Sequence, residues 1–142
     1  MKSEKVETLI GKTITEIVGM EEHSKCIRIV CSDGTRFEML HYQDCCEIVE
    51  VNDVVGNPED LIGSSVTMAE ESTNHYDCSE DPENKSLDSH TWTFYKFATL
   101  KGYVTIRWIG ESNGYYSESV TFSELEDGDS WWEANMEEVQ DD

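Results

Sequence analysis

Apolar and polar residues alternate along most of this chain with the two-residue period of β-strands. In Lys25–Ser32, Ile27, Ile29 and Cys31 share one face and Arg28 lies on the other. Asp33-Gly34 follows, a short hairpin signal, and Thr35–Tyr42 then offers Phe37 and Met39 to one face with Arg36 and Glu38 around them. Further on, Val104, Ile106 and Trp108 alternate with Tyr103, Thr105 and Arg107. Glycine-bearing turns at Lys101-Gly102 and Asn113-Gly114 flank that segment, so 90–99, 103–109 and 115–122 are predicted to form a three-stranded meander. Leu9–Met20 reads as an opening strand, Cys46–Val51 and Val66–Glu70 as short strands, and Glu59-Asp60-Leu61 as a single helical turn.

The expected fold is therefore mainly β: an antiparallel sheet of hairpin plus three-stranded meander, built as a sandwich or half-barrel, with a minor helix. One β-rich domain is expected over 8–122. Residues 72–89 lack periodicity and are rich in Ser, Asp, Glu and Asn, which predicts a mobile acidic loop. Residues 123–142 form an acidic tail, where Trp132, Met136 and Val139 fall at i, i+4 and i+7 and predict a short helix over 130–140. Three fates are open to it: docking on the protein's own sheet, recognition of another chain, or disorder.

Charge changes the picture once it is located. The net charge is −21, from 31 acids and 10 bases. Residues 70–89 hold seven acids and one lysine, and 123–142 hold nine acids and no base. The rest carries 15 acids and 9 bases, a net of −6. The β-rich body is thus only moderately acidic. Clustered Lys and Arg are lacking, so direct nucleic-acid binding is not expected. No apolar run approaches the ~20 residues of a membrane helix. Met1–Glu7 lacks the apolar stretch of a signal peptide, which predicts a cytoplasmic protein. The odd count of five cysteines fits no disulfide framework, and all five read as reduced thiols. Nothing in the sequence selects an oligomeric state.

Two short constellations carry the candidate chemistry. His41-Tyr42-Gln43-Asp44-Cys45-Cys46-Glu47 gathers imidazole, carboxylates and thiols at a strand end. It can be read as a metal site drawing on His41, Asp44, Cys45 and Cys46, as a thiol nucleophile with His41 as base, or as a strand corner held by hydrogen bonds. The second runs Arg107-Trp108-Ile109-Gly110-Glu111-Ser112-Asn113-Gly114-Tyr115-Tyr116-Ser117. Arg107, Tyr115 and Ser117 share a face if the hairpin register holds, and Arg28 and Lys96 can join from neighbouring strands. Such a set suits a small anionic or nucleobase-like ligand. No dinucleotide fingerprint, phosphate loop, zinc-protease helix or Ser-His-Asp order is present, so no cofactor is expected.

With the segment Trp92-Thr93-Phe94-Tyr95-Lys96, these two runs make Leu9–Phe122 resemble a family of small bacteriophage- and prophage-encoded domains of unknown function. The resemblance implies a setting, a phage gene product in the bacterial cytoplasm, and carries over no functional residue. The leading expectation is a non-enzymatic accessory protein that binds a protein partner through Trp131, Trp132 and Met136 in the acidic tail. The alternatives are a binder of a nucleotide signal at Arg28, Arg107, Tyr115, Ser117 and Lys96, and a metal- or thiol-dependent enzyme at His41–Glu47.

Overall fold

Strands dominate the computed structural model, which describes residues 2–44, 46–76, 89–112, 117–126 and 129. They are β1 Lys2–Ser3, β2 Ile14–Val18, β3 Cys26–Cys31, β4 Arg36–Leu40, β5 Ile48–Val55, β6 Met68–Tyr76, β7 Ser89–Thr99, β8 Gly102–Ser112 and β9 Thr121–Leu125. Two single 3-10 turns, Val6–Leu9 and Pro58–Leu61, are the helical elements among the described residues. The second begins at Asn57, whose side chain accepts from the Glu59 N–H at 3.0 Å, a cap that fixes the helical turn expected there.

The strands form two antiparallel sheets. The first has the order β1-β9-β4-β3-β2 and the second β5-β8-β7-β6. One core serves both: Ile27, Ile29, Phe37, Met39 and Phe122 come from the first sheet, and Val49, Val51, Tyr95, Phe97, Val104, Ile106 and Trp108 from the second. This is the two-layer solution in which each sheet buries one face against the other. Phe37 and Phe122 stack across β4 and β9 with centroids 5.2 Å apart. The β3–β4 hairpin has the expected register, Ile27 opposite Met39 and Ile29 opposite Phe37. Gly34 takes φ 89° in its turn, a conformation that costs glycine little.

Three expectations need correction. The meander exists but is shifted by one strand: its members are β6, β7 and β8. Residues 117–120 are irregular, and β9 begins at Thr121 and pairs with β4 in the other sheet. Alternation marks a strand but not its neighbour, and β5 occupies the remaining edge of β8. Residues 72–76, assigned to the acidic loop, continue β6 in register with β7 as far as Tyr76 opposite His90. Their polarity reflects an exposed strand, not an absent one. Finally, Cys46 is disulfide-bonded, to a partner outside the described residues, while Cys26 and Cys31 are buried thiols. The odd cysteine count argued against a framework of bridges, not against a single one.

Candidate functional site

The chain crosses between the sheets at two places that must be neighbours. It leaves the first sheet after β4 and enters the second at β5, and it leaves β8 to re-enter the first sheet at β9. Because β4 pairs with β9 and β5 with β8, Leu40 opposite Thr121 and Ile48 opposite Glu111, the two crossings run side by side at one end of the sandwich. These crossings are the two sequence constellations. The fold brings them together.

His41 opens the first crossing. Its Nδ1 lies 2.7 Å from the Ser119 carbonyl and its Nε2 2.6 Å from Glu47 Oε2. Both side chains are buried. A carbonyl only accepts, so Nδ1 carries a hydrogen and donates it. Nε2 faces a carboxyl oxygen, so the pair holds one further proton between nitrogen and oxygen. Glu47 also accepts from the Asp44 N–H at 2.9 Å, and Gln43 Nε2 donates to the Glu47 carbonyl at 2.6 Å. The run thus closes on itself around a buried carboxyl group, with His41 tying it to the opposite crossing.

Glu118 does the same for the second crossing. Its carboxylate is buried and accepts from the hydroxyls of Ser89 and Ser112, and from Thr91 at 2.8 Å. His75 Nδ1 lies 2.8 Å from Thr91 Oγ1, so its N–H donates to the hydroxyl that serves the carboxylate. Gly110 makes room for this arrangement: a Cβ there would stand 2.6 Å from the Glu118 carbonyl oxygen and 2.8 Å from its Cβ. Ser112 and Gly110 of the second run are therefore parts of a clasp on Glu118. Among the described residues, His41, Gln43 and Glu47 of the first constellation and Gly110 and Ser112 of the second hold the crossings.

An open arrangement lies elsewhere, on the outer face of the second sheet. Ile48, Glu50, Asn52, His90, Trp92, Ile109 and Glu111 line a half-open cavity of about 310 Å³. A bulge between Val51 and Asp53 sets both Asn52 and Asp53 beside Arg107. Arg107 Nε donates to Asn52 Oδ1 at 2.9 Å, its Nη2 lies 4.0 Å from Asp53 Oδ2, and its guanidinium sits 5.1 Å from the Trp92 ring centroid. His90 meets Trp92 edge-on at 6.3 Å. At the rim, His23 Nδ1 is 3.7 Å from Glu50 Oε2.

The predicted ligand set is split by this geometry. Arg107 and Lys96 share the outer face of the second sheet, where Phe94 pairs with Arg107 and Lys96 with Thr105. Arg28 is on the other sheet, opposite Glu38, and cannot join them. Ser117 is exposed on the second crossing and bonds Ser119 Oγ at 2.8 Å. Tyr115 lies outside the described residues, as do Trp131, Trp132, Met136 and the predicted helix over 130–140. Of the metal set, Cys45 is also outside them, Cys46 is in a disulfide, and Asp44 is exposed. Both His41 nitrogens are engaged, so a metal would have to displace Glu47 or Ser119. Among the described residues no three metal-ligating side chains cluster. Glu118, Ser119, Glu50 and Asn52 escaped the sequence reading. Glu118 was one acid among 31, and only the juxtaposed crossings single it out.

No curated protein and no solved structure matches the chain. Residues 7–122 match the family described as Domain of unknown function (DUF7448), which is most of the 142 residues, and the chain belongs to that family.

Proposed function

We propose that the protein is a non-enzymatic binding module, a phage-type accessory factor of the bacterial cytoplasm, whose outer face on the second sheet takes a basic side chain of a protein partner. The observation that carries this reading is the cavity beside Trp92, with Glu50 and Glu111 in its lining and room for a guanidinium or ammonium group on its stem. Carboxylates beside an indole suit a cation, which pairs with the acids and lies against the ring. The same lining opposes an anionic nucleotide. Arg107 is already committed to Asn52 and to the Trp92 ring, and Arg28 is on the other sheet. An enzyme built on His41–Glu47 is disfavoured because His41 and Glu47 are buried and their hydrogen bonds are taken up within the crossings.

The test is a titration with acetyl-Lys-Arg-Lys-Arg-amide, followed by the indole signal of Trp92 and the amides of Ile109 and Glu111 in NMR spectra. It is run at about 0.15 M salt, where screening over about 8 Å suppresses attraction to the net charge alone. The expected result is a saturable shift at these three positions, lost in the Glu50→Gln/Glu111→Gln double variant. Shifts scattered over the whole surface, or unchanged in the double variant, would overturn the proposal.

A further inference from the structure

Strand register sets the layout of the cavity on the second sheet's outer face. Ile109 of β8 lies opposite Glu50 of β5 on one side and Trp92 of β7 on the other. Two residues further along β8, Glu111 shares this face and lies opposite Ile48 and His90. The two carboxylates therefore occupy one diagonal of the β5–β8 ladder and the two isoleucines the other. Residues on such a diagonal stand about 7 Å apart. An apolar floor at Ile109 is thus bordered by acceptors on two sides and by an indole on a third.

A lysine ammonium meets this arrangement poorly. It is a compact, strongly hydrated charge, and it would shed water over Ile109. Its donors radiate from a single nitrogen, whereas the carboxylates approach from separate sides. A guanidinium fits better on each count. It is planar and more weakly hydrated, so its faces can lie on isoleucine and against indole, while its five N–H groups point outward toward acceptors on different sides. Neither carboxylate is shut away from solvent. Glu111 is exposed, and Glu50 keeps 27% of its side chain in water, with His23 3.7 Å away, beyond hydrogen-bond length.

The same face already holds one guanidinium in this manner. Arg107 donates to Asn52 at 2.9 Å, lies 4.0 Å from Asp53 and sits 5.1 Å from the Trp92 ring centroid. Glu50, Glu111 and Trp92 offer the same kinds of contact to a second one. We infer that the cavity is selective for arginine over lysine: the partner residue seated there is an arginine, its fork spanning Glu50 and Glu111 and its plane against Trp92. The inference rests on the binding reading above and adds the identity of the side chain.

The test compares three peptides of equal charge on the full native chain, so no variant has to fold. They are acetyl-Gly-Arg-Gly-Arg-amide, acetyl-Gly-Lys-Gly-Lys-amide, and the arginine peptide with each guanidinium asymmetrically dimethylated. Binding is followed by the Trp92 indole signal and the Ile109 and Glu111 amides at about 0.15 M salt. The arginine peptide is expected to bind about fivefold or more tightly than the lysine peptide. Dimethylation keeps the charge but blocks two-donor pairing, so it should weaken the arginine peptide about threefold or more. A smaller preference over lysine, or a smaller loss on dimethylation, would overturn the arginine assignment and leave a general cation site. Saturation by none of the three would overturn the binding reading itself, and the assignment with it.

Discussion

The two outer faces of the sandwich are built from the same kind of strand and meet water differently. On the first sheet Cys26, Glu38, Leu40, Ser123 and Leu125 are buried. On the second Glu50, Asn52, Trp92, Arg107 and Ile109 are half-buried, and Ile48 and Tyr103 are exposed. The sealed face mixes apolar residues with a charged Arg28–Glu38 pair, and the open face does too. Composition alone does not distinguish them. What separates them is closure from water: the outer side chains of β3, β4 and β9 are buried, whereas those of β5, β7 and β8 line a half-open cavity. One outer face is thus closed, and the other presents an aromatic, acidic cavity to solvent.

The contrast breaks most visibly in the polar pairs. His41–Glu47 is buried at the junction of the sheets, and Arg107–Asn52 lies on the open face with Arg107 and Asp53 each about two-fifths exposed. Removing one member of a buried pair strands the other in low dielectric, so His41→Ala or Glu47→Ala is expected to cost about 3–5 kcal/mol in urea unfolding. Asn52→Ala should cost about 1 kcal/mol or less, because water replaces the lost bond. Equal costs would mean that the junction is as wet as the open face.

Apolar truncation sharpens the same comparison at a smaller scale. Leu40 is on the face opposite the core yet fully buried, and Leu40→Ala is expected to destabilise by about 2–4 kcal/mol, as a core leucine does. Ile48, on the other outer face, is 52% exposed, and Ile48→Ala should cost about 1 kcal/mol or less, since little apolar surface returns to solvent. Were Leu40→Ala to cost no more than Ile48→Ala, the first face would be open in solution.

Much of this architecture was legible from alternation: the β3–β4 hairpin, β7, β8, and the core residues Ile27, Ile29, Phe37, Val104, Ile106 and Trp108 all stand where the two-residue period placed them. The turn chemistry of Asp33-Gly34 and Lys101-Gly102 was legible for the same reason, because a local conformation demands a local residue. Pairing across distance was not. That β9 leaves β8 for β4 is a long-range pairing, and Glu118, at the crossing, is clasped by Ser89, Ser112 and Thr91, residues up to 29 positions away. The two constellations were visible as unusual strings, but their role as adjacent crossings is a property of sheet order. The candidate cavity was not legible: Arg107 and Lys96 share the outer face but do not line it, and Glu50 and Asn52, which do, are brought there by the long-range pairing of β5 with β8.

The finest discrimination between the faces is a proton. Burial pushes the Cys26 thiol up to about 11, with the nearby Glu38 charge adding to the effect and Arg28 opposing it. In the unfolded chain a cysteine titrates near about 8.5. A group whose folded value is raised contributes its stability in full below the unfolded value and loses it as pH climbs through the folded one. Between about pH 8.5 and 11 the unfolded chain releases a proton that the native protein keeps, at about 1.4 kcal/mol per pH unit. Across most of that window the loss is roughly 2 kcal/mol, since only one proton is involved. Tyr42 and Tyr95 are raised as well, chiefly by burial, and add to the decline at the alkaline end. The difference between wild type and Cys26→Ala isolates the thiol: urea unfolding at pH 8 and 10.5 should show the wild type losing about 2 kcal/mol more than the variant. Trp92→Ala, on the face with no buried thiol, should fall in parallel with the wild type. If Cys26→Ala falls in parallel too, Cys26 titrates as it does in water and the first sheet's outer face is not sealed around it.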